Sequence, residues 1–354
     1  MSQIDPLWLP YAFDTPRAFR PSLGAAVLRA QPEDFIVEEE LGFEPAGTGQ
    51  HVLLRVRKRD ANTQWVAREL AKQCRCRPMD VGYAGLKDRR AVATQWFSVP
   101  GASHSVDSWR ALRTPEFDVL EAHAHTRKLP RGALAANSFI IRVRDIVAND
   151  EEINQRIALI AQTGVPNYFG PQRFGRDGSN LQRIGAGLKA LRPAERGFVL
   201  SAARSLVFNA VLAARVRDGT WDRLRPGDVA NLDGRGSVFA VEEVDTTLLE
   251  RCRRLDIHAT GPMWGSGTST SRGEVLELET RVAALFPAAT ELVQEAGMLQ
   301  ERRSLRMAVR NLGWVREAAG TAVLRFRLAR GSFATTVVQE IFDVPAAHDA
   351  EGEG

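Results

Sequence analysis

Between two apolar runs, Val81 to Gly85 and Gln95 to Val99, the chain sets one carboxylate, Asp88, among three cations, Lys87, Arg89 and Arg90. Gly82 and Gly85 permit a close backbone approach into the turn that carries them. Neighbouring positive charge favours the ionised form of an acid. An ionised carboxylate is the state that nucleophilic catalysis requires. An ordinary charged hairpin turn has the same composition, so the segment by itself leaves both readings open.

Two further clusters suit binding. The stretch Asn167 to Gly175 interleaves Tyr168, Phe169 and Phe174 with Arg173. Rings beside a guanidinium fit base stacking next to a phosphate contact; they fit a packing cluster at a domain border equally well. Arg302, Arg306 and Arg310 stand at i, i+4 and i+8, with Arg303 beside them, in a stretch (about 291–312) whose spacing predicts a helix with one cationic face. Such a face suits phosphate neutralisation or plain solvation. His123 and His125 with Glu121 offer three ligands on one expected strand face, but a fourth is not evident and no metal site is expected. Gly265-Ser266-Gly267 lacks the Lys-Ser/Thr end of a phosphate loop, and no Gly-x-Ser-x-Gly elbow is present.

The elements that must position these groups can be read from periodicity. Phe35 and Val37 alternate with Ile36 and Glu38, a glycine-rich turn follows at 45–49, and Val52, Leu54 and Val56 alternate in a second strand. Asn62-Thr63 opens a helix to about Arg75 with Val66, Leu70 and Cys74 on one face, and Pro78 breaks it. A strand is expected from Ser138 to Val143. A helix capped at Asn149-Asp150 carries Ile153, Ile157 and Ile160 and stops at Gly164. Further on come a helix from Ser201 to about Val216, short strands from 228 to 241, a strand from Val323 to Leu328 and a short helix near 336–341. Strands and helices mix without strict alternation, which indicates α+β with a largely antiparallel sheet. The tail from Glu351 to Gly354 is expected to fray.

At 354 residues two domains are the starting expectation. The 47 basic residues include only five lysines, so arginine, the better phosphate fork, dominates a net charge of +4. Three cysteines, Cys74, Cys76 and Cys252, make no disulfide framework and no paired zinc motif. A cytoplasmic protein is expected, without a secretory signal in its first twenty residues and without an apolar run long enough to span a bilayer. With no long apolar stripe left unassigned, a monomer is expected.

Gly85-Leu86-Lys87-Asp88, followed by Ala91 and then Gln95-Trp96, resembles the active-site segment of the TruD family of tRNA pseudouridine synthases. Other blocks of that family have counterparts in the same order. Pro32-Glu33-Asp34-Phe35 is similar to its PEDF element, and Asn167 to Gly175 to its NYFGxQRFG signature. Ser201 to Ser205 and Ala329 to Thr335 resemble two more blocks, so the resemblance runs from about residue 25 to about residue 343.

That resemblance implies a pseudouridine-synthase-type catalytic domain with a mixed, mainly antiparallel sheet, formed by 1–164 and 304–354, and a smaller inserted α+β domain, 165–303. It implies isomerisation of a uridine, expected at position 13 in the D-arm of tRNA, after the nucleotide is flipped out, with no cofactor. Asp88 is then the nucleophile. Arg29, standing where the family usually has lysine, becomes its supporting cation. Phe35, Asn137 and Phe333 become the residues that contact the base, with Phe333 brought near Asp88. Lys87, Arg89, Arg173, Arg302 and Arg306 are the candidate RNA contacts. A non-catalytic RNA-binding protein with the same basic surface is the alternative.

Overall fold

Asn62 accepts the amide of Gln64 at 2.9 Å and so starts the helix Thr63–Cys74. Val66, Leu70 and Cys74 recur at helical spacing and are buried. Each fully buried aliphatic side chain of this kind contributes about 1.5–3 kcal/mol. Arg75 takes the left-handed conformation (φ 54°) that ends the helix. The helix packs against a sheet face carrying Val52, Leu54, Val56, Phe97, Val99 and Val119, and together they close one hydrophobic core.

The computed structural model describes residues 4–101 and 105–344; the tail expected to fray lies outside them. The chain divides into two compact units, 24–150 with 310–331, and 1–23 with 151–309 and 332–354. These borders differ from the domain division expected at 164 and 303.

The unit 24–150 with 310–331 is built on a nine-stranded sheet. Its strands are β1 (Val27–Leu28), β2 (Phe35–Leu41), β3 (His51–Arg59), β4 (Gly82–Tyr83), β5 (Val92–Pro100), β6 (Phe117–His125), β7 (Leu134–Arg144), β8 (Arg310–Ala318) and β9 (Thr321–Ala329). The order is β8-β9-β7-β2-β5-β3-β6, with β1 added to β7 and β4 to β5. Only β2 and β5 run parallel among the described pairs. The fold is α+β with a mixed, mainly antiparallel sheet, as expected. β2 and β3 follow each other in sequence but do not pair, because β5 lies between them.

Register places the future site. Phe35, Val37 and Glu39 of β2 face Ile141, Phe139 and Asn137 of β7. Those three in turn face Leu324, Phe326 and Leu328 of β9. Residues paired this way share a sheet face. Phe35 meets Phe139 edge-on at 6.0 Å, and Phe139 stacks on Phe326 at 5.4 Å.

In the other unit the helix Pro193–Arg217 is the axis of a core that also takes Phe174, Leu278, Phe286 and Leu292. By length and composition this helix could cross a membrane, contrary to the expectation that no stretch would; 72% of its apolar window is buried, as in a core helix. Four antiparallel strands, in the order Val238–Ala240, Val229–Leu232, Ile257–Met263 and Glu301–Ser304, form its sheet. The helix expected over 291–312 is therefore corrected. A helix ends at Glu295, and the arginines lie on short strands, Glu301–Ser304, Arg306–Met307 and β8.

Candidate active site

The turn between β4 and β5 carries Asp88. It is entered through Gly82, where a Cβ would come within 2.5 Å of the Ser98 hydroxyl and 2.6 Å of the Leu129 carbonyl. Glycine is required there by space. Four tethers then fix the turn. Lys87 donates its amide to Thr63 Oγ1 (3.0 Å), and Thr63 donates to Gln95 Oε1 (2.8 Å). Gln95 Nε2 donates to the Gly85 carbonyl (3.3 Å). Lys87 Nζ reaches Glu39 at 2.6 Å, and the second oxygen of Glu39 accepts the Trp96 amide at 3.2 Å.

The fourth tether comes from β3. Lys58 is fully buried; its ammonium donates to the carbonyls of Ala61 (2.7 Å) and Asp88 (2.8 Å). Burial pushes this lysine down to about 8; Asp88 and Asp60 oppose the shift and Lys87 adds to it. Sequence inspection missed Lys58 and Glu39. The signal was present in each strand, since Lys58 continues the buried alternation Val52, Leu54, Val56, and Glu39 continues Phe35, Val37.

The Asp88 side chain itself is about one-third exposed and is ion-paired with the buried guanidinium of Arg29. Arg29 holds a left-handed backbone (φ 59°), which costs a non-glycine residue about 1 kcal/mol and tends to persist where function holds it. Its guanidinium carbon lies 4.2 Å from the centroid of the Phe35 ring. One cation therefore touches both the carboxylate and the ring. Arg29 Nε and Nη1 and Asn137 Oδ1 are buried without a hydrogen-bond partner among the described residues. Buried polar atoms left open cost about 1–3 kcal/mol each, and a bound ligand can supply the missing partners.

The Pro32-Glu33-Asp34-Phe35 element is an anchor. Asp34, fully buried, accepts Arg144 through both oxygens (3.0 and 2.7 Å) and caps the Gln31 amide (3.1 Å). Burial raises the Asp34 carboxyl, but the hydrogen bonds from Arg144 and the Gln31 backbone outweigh it and hold the group below its ordinary value. This fixes the start of β2 and so the place of Phe35. The ring of Phe35 is buried, with Arg29 over one face.

Of the remaining sequence candidates, Asn137 sits on the Phe35 face of the sheet, directly across from Glu39. Lys87, a candidate RNA contact, is turned inward and paired with Glu39, where it holds the turn. Arg89 is exposed, 3.8 Å from Asp60. Arg302 and Arg306, also candidate RNA contacts, are likewise engaged within the protein. Arg302 pairs with buried Glu279 at 2.7 Å, and Arg306 donates to the carbonyls of Asp222, Cys252 and Ile257. Both are held inside their unit, Arg302 by a carboxylate and Arg306 by main-chain carbonyls. Phe333 also belongs to that unit, where it precedes the helix Ala334–Gln339 and meets Phe169 edge-on at 6.1 Å. His125, one of the histidines weighed as metal ligands, stacks on Phe43 and accepts the Ala46 amide at 3.2 Å.

Comparison with known proteins gives a consistent result. The family profile described as tRNA pseudouridine synthase D (TruD) matches residues 22–192 and 186–341. A tRNA pseudouridine synthase D of Nitrosococcus oceani is 43% identical over 327 residues, covering 91% of each chain. One from Chromohalobacter salexigens is 42% identical over 346 residues, covering 96% of this chain and 98% of that protein. A crystal structure from Methanosarcina mazei, described as a putative tRNA pseudouridine synthase D (TruD), superposes with a TM-score of 0.70. It is 22% identical, covers 96% of this chain and 98% of its own, and shows the likeness of fold.

Proposed function

This chain belongs to the TruD family of tRNA pseudouridine synthases, and on that premise we propose that it isomerises a uridine of tRNA to pseudouridine with Asp88 as its nucleophile. The enzyme class is isomerase. The finer assignment, uridine 13 in the D-arm, is our extension of it.

The reaction breaks the N1–C1′ glycosidic bond, turns the uracil, and rejoins it through C5. The proton on C5 leaves, N1 gains one, and atoms and electrons balance without an oxidant or reductant. The nucleotide must first leave its stack, at a cost of a few kcal/mol, roughly, that binding must offset. Asp88 then needs to hold a negative charge within reach of the sugar. Arg29 supplies the charge-assisted hydrogen bond that orients it. Lys58, Thr63, Gln95 and the Lys87–Glu39 pair hold the turn so that little reorganisation accompanies the step. Phe35 and Asn137, which share a sheet face, together with Phe333 form the base-contacting set in this proposal. The open Asn137 Oδ1 suits the N3–H of uracil.

One observation carries the proposal: a single buried guanidinium contacts both the Asp88 carboxylate and the Phe35 ring. The test is incubation of the purified protein with unmodified tRNA transcripts, followed by chemical mapping of pseudouridine. Product at position 13 is expected from the wild type. Asp88→Asn should abolish it while leaving tRNA binding largely intact. Product formed by Asp88→Asn would remove the nucleophile assignment.

We also retain residues 165–303 as an inserted domain. The supporting observation is that the four-stranded sheet and the helices between 193 and 295 fall inside that span.

A further inference from the structure

We propose that a groove in the unit 24–150 with 310–331, edged by Arg68, Lys128 and Arg131, holds a nucleotide of the RNA substrate other than the one that reacts. The inference rests on the tRNA substrate proposed above. The groove has a volume of about 600 Å³, within the range of small-ligand sites. The helix Thr63–Cys74 supplies Gln64 and Arg68, one turn apart on one face. Met79 comes from the turn Pro78–Asp80 and Tyr83 from β4. Lys128 and Arg131 lie in the connection between β6 and β7. That connection is pinned to the sheet. The Gly132 amide donates to the Ala84 carbonyl (2.7 Å), the Leu129 amide to Ser98 Oγ (2.8 Å), and Lys128 Nζ to the Met79 carbonyl.

Among the described residues no carboxylate lines the groove. The adjacent acid, Asp80, is engaged by Arg77 through both oxygens (3.1 Å each). Arg68 and Arg131 are exposed, and neither guanidinium has an ion pair or hydrogen bond among the described residues. An exposed arginine is ordinary by itself; the placement of Arg131 is not. Its guanidinium carbon lies 3.5 Å from the centroid of the Tyr83 ring, and Tyr83 is buried against Phe97 at 5.9 Å. Laid on a fixed ring, the guanidinium has given up much of its freedom before a ligand arrives, and it keeps its N–H fork for a phosphate. Met79, 69% exposed, offers an adaptable apolar surface to a sugar or base. Cations beside such a surface are how proteins hold a single RNA strand. The groove also adjoins the reacting turn. Tyr83 stands five residues before Asp88, and Thr63, which accepts the Lys87 amide, opens the helix that carries Arg68. Arg173, a candidate RNA contact in the other unit, is instead half-buried over the Phe169 ring and donates to Ser201 Oγ at 3.0 Å.

The test measures affinity of the full-length protein for an unmodified tRNA transcript against salt concentration, with melting temperature and pseudouridine formation recorded in parallel. Arg68→Gln and Arg131→Gln should each flatten the slope of log affinity against log salt by about one, or about tenfold weaker binding near 0.1 M salt. Gln64→Glu puts a carboxylate into the groove at the second residue of its helix, where negative charge favours the helix. It should melt no lower than the wild type and bind about tenfold more weakly. Gln73→Glu makes the same change on the same helix outside the groove and should bind within about twofold of the wild type, its charge being screened. Unchanged slopes for Arg68→Gln and Arg131→Gln overturn the groove, while wild-type pseudouridine formation leaves the enzymatic proposal standing. Equal weakening by Gln64→Glu and Gln73→Glu also overturns it, since net charge alone would then matter. Flattened slopes with no pseudouridine formed by the wild type would support the groove and end the enzymatic proposal.

Discussion

Lys58 donates its buried ammonium to the main-chain carbonyl of Asp88 at 2.8 Å, thirty residues further along the chain. The carboxylate is thereby held from two sides, by Arg29 at its side chain and by Lys58 at its backbone. On the proposal that Asp88 is the nucleophile, Lys58 is a positioning residue. Replacing it by methionine keeps the bulk and removes the tether, so kcat should fall about tenfold with KM little changed. Steady-state kinetics on a tRNA transcript will separate this from a loss of fold, which would lower the active fraction and leave kcat per folded molecule intact.

The same residue makes stability depend on pH. Its folded value is about 8 and its ordinary value 10.5, so between these the unfolded chain binds more protons. Stability from this group must then rise with pH across that window. Against Lys58→Met, the wild type should gain up to about 3 kcal/mol between pH 7.5 and 10.5. Urea denaturation of both proteins across that range checks the sign; a difference that stays flat would mean the lysine keeps an ordinary affinity for its proton.

Arg29→Gln removes the cation that orients Asp88 and should lower kcat about a hundredfold, the scale seen when a single preorganised charge contact is deleted. Arg29→Lys restores the charge without the fork and should recover part of that loss. Single-turnover rates at saturating enzyme are the measurement, since they isolate the chemical step from product release.

Glu340 sits in the other unit, where its carboxylate accepts the amides of Ala18 (3.0 Å) and Phe19 (3.1 Å). Burial nevertheless pushes it up to about 7, against those hydrogen bonds and the nearby Arg17 and Arg156. Here the folded value exceeds the unfolded one, so the contribution is complete below about pH 4.5 and is lost as pH rises through 7. Glu340→Gln should flatten the pH dependence of the melting temperature over that range. An unchanged curve would show that another group sets it.

Asp34→Ala strands the guanidinium of Arg144 and frees the start of β2, and should cost about 3 kcal/mol in chemical denaturation. Activity should fall further than stability predicts, because Phe35 follows directly. A variant that melts normally would leave the anchor without its role.

Much of the architecture was legible from local rules. The helix Thr63–Cys74 followed from its cap and its apolar spacing, and the helix from 150 to 163 from Asn149-Asp150 and the isoleucine stripe. The helix imagined over 291–312 shows where periodicity fails. A spacing of four residues returns to the same face of a helix, and being even it also returns to the same face of a strand. Arg302 and Arg306 therefore gave the same signal for either, and only the pairing of Glu301–Ser304 with Ile257–Met263 decides between them. At the site, Asp88 stood out by its own neighbours, and the suggestion of Arg29 beside it came from the family resemblance. Lys58 and Glu39 were missed for a different reason. Each continues the buried alternation of its strand, but a charge at a core-facing position gains a role only when its partner arrives from a distant part of the sequence.

Because β5 inserts between β2 and β3, the two strands that flank it donate the lysine and the glutamate gripping the turn just before it. No hairpin made early in folding contains all three parts. A chain emerging from synthesis must therefore bring all three strands of its central sheet together before the turn that carries Asp88 is gripped from both sides.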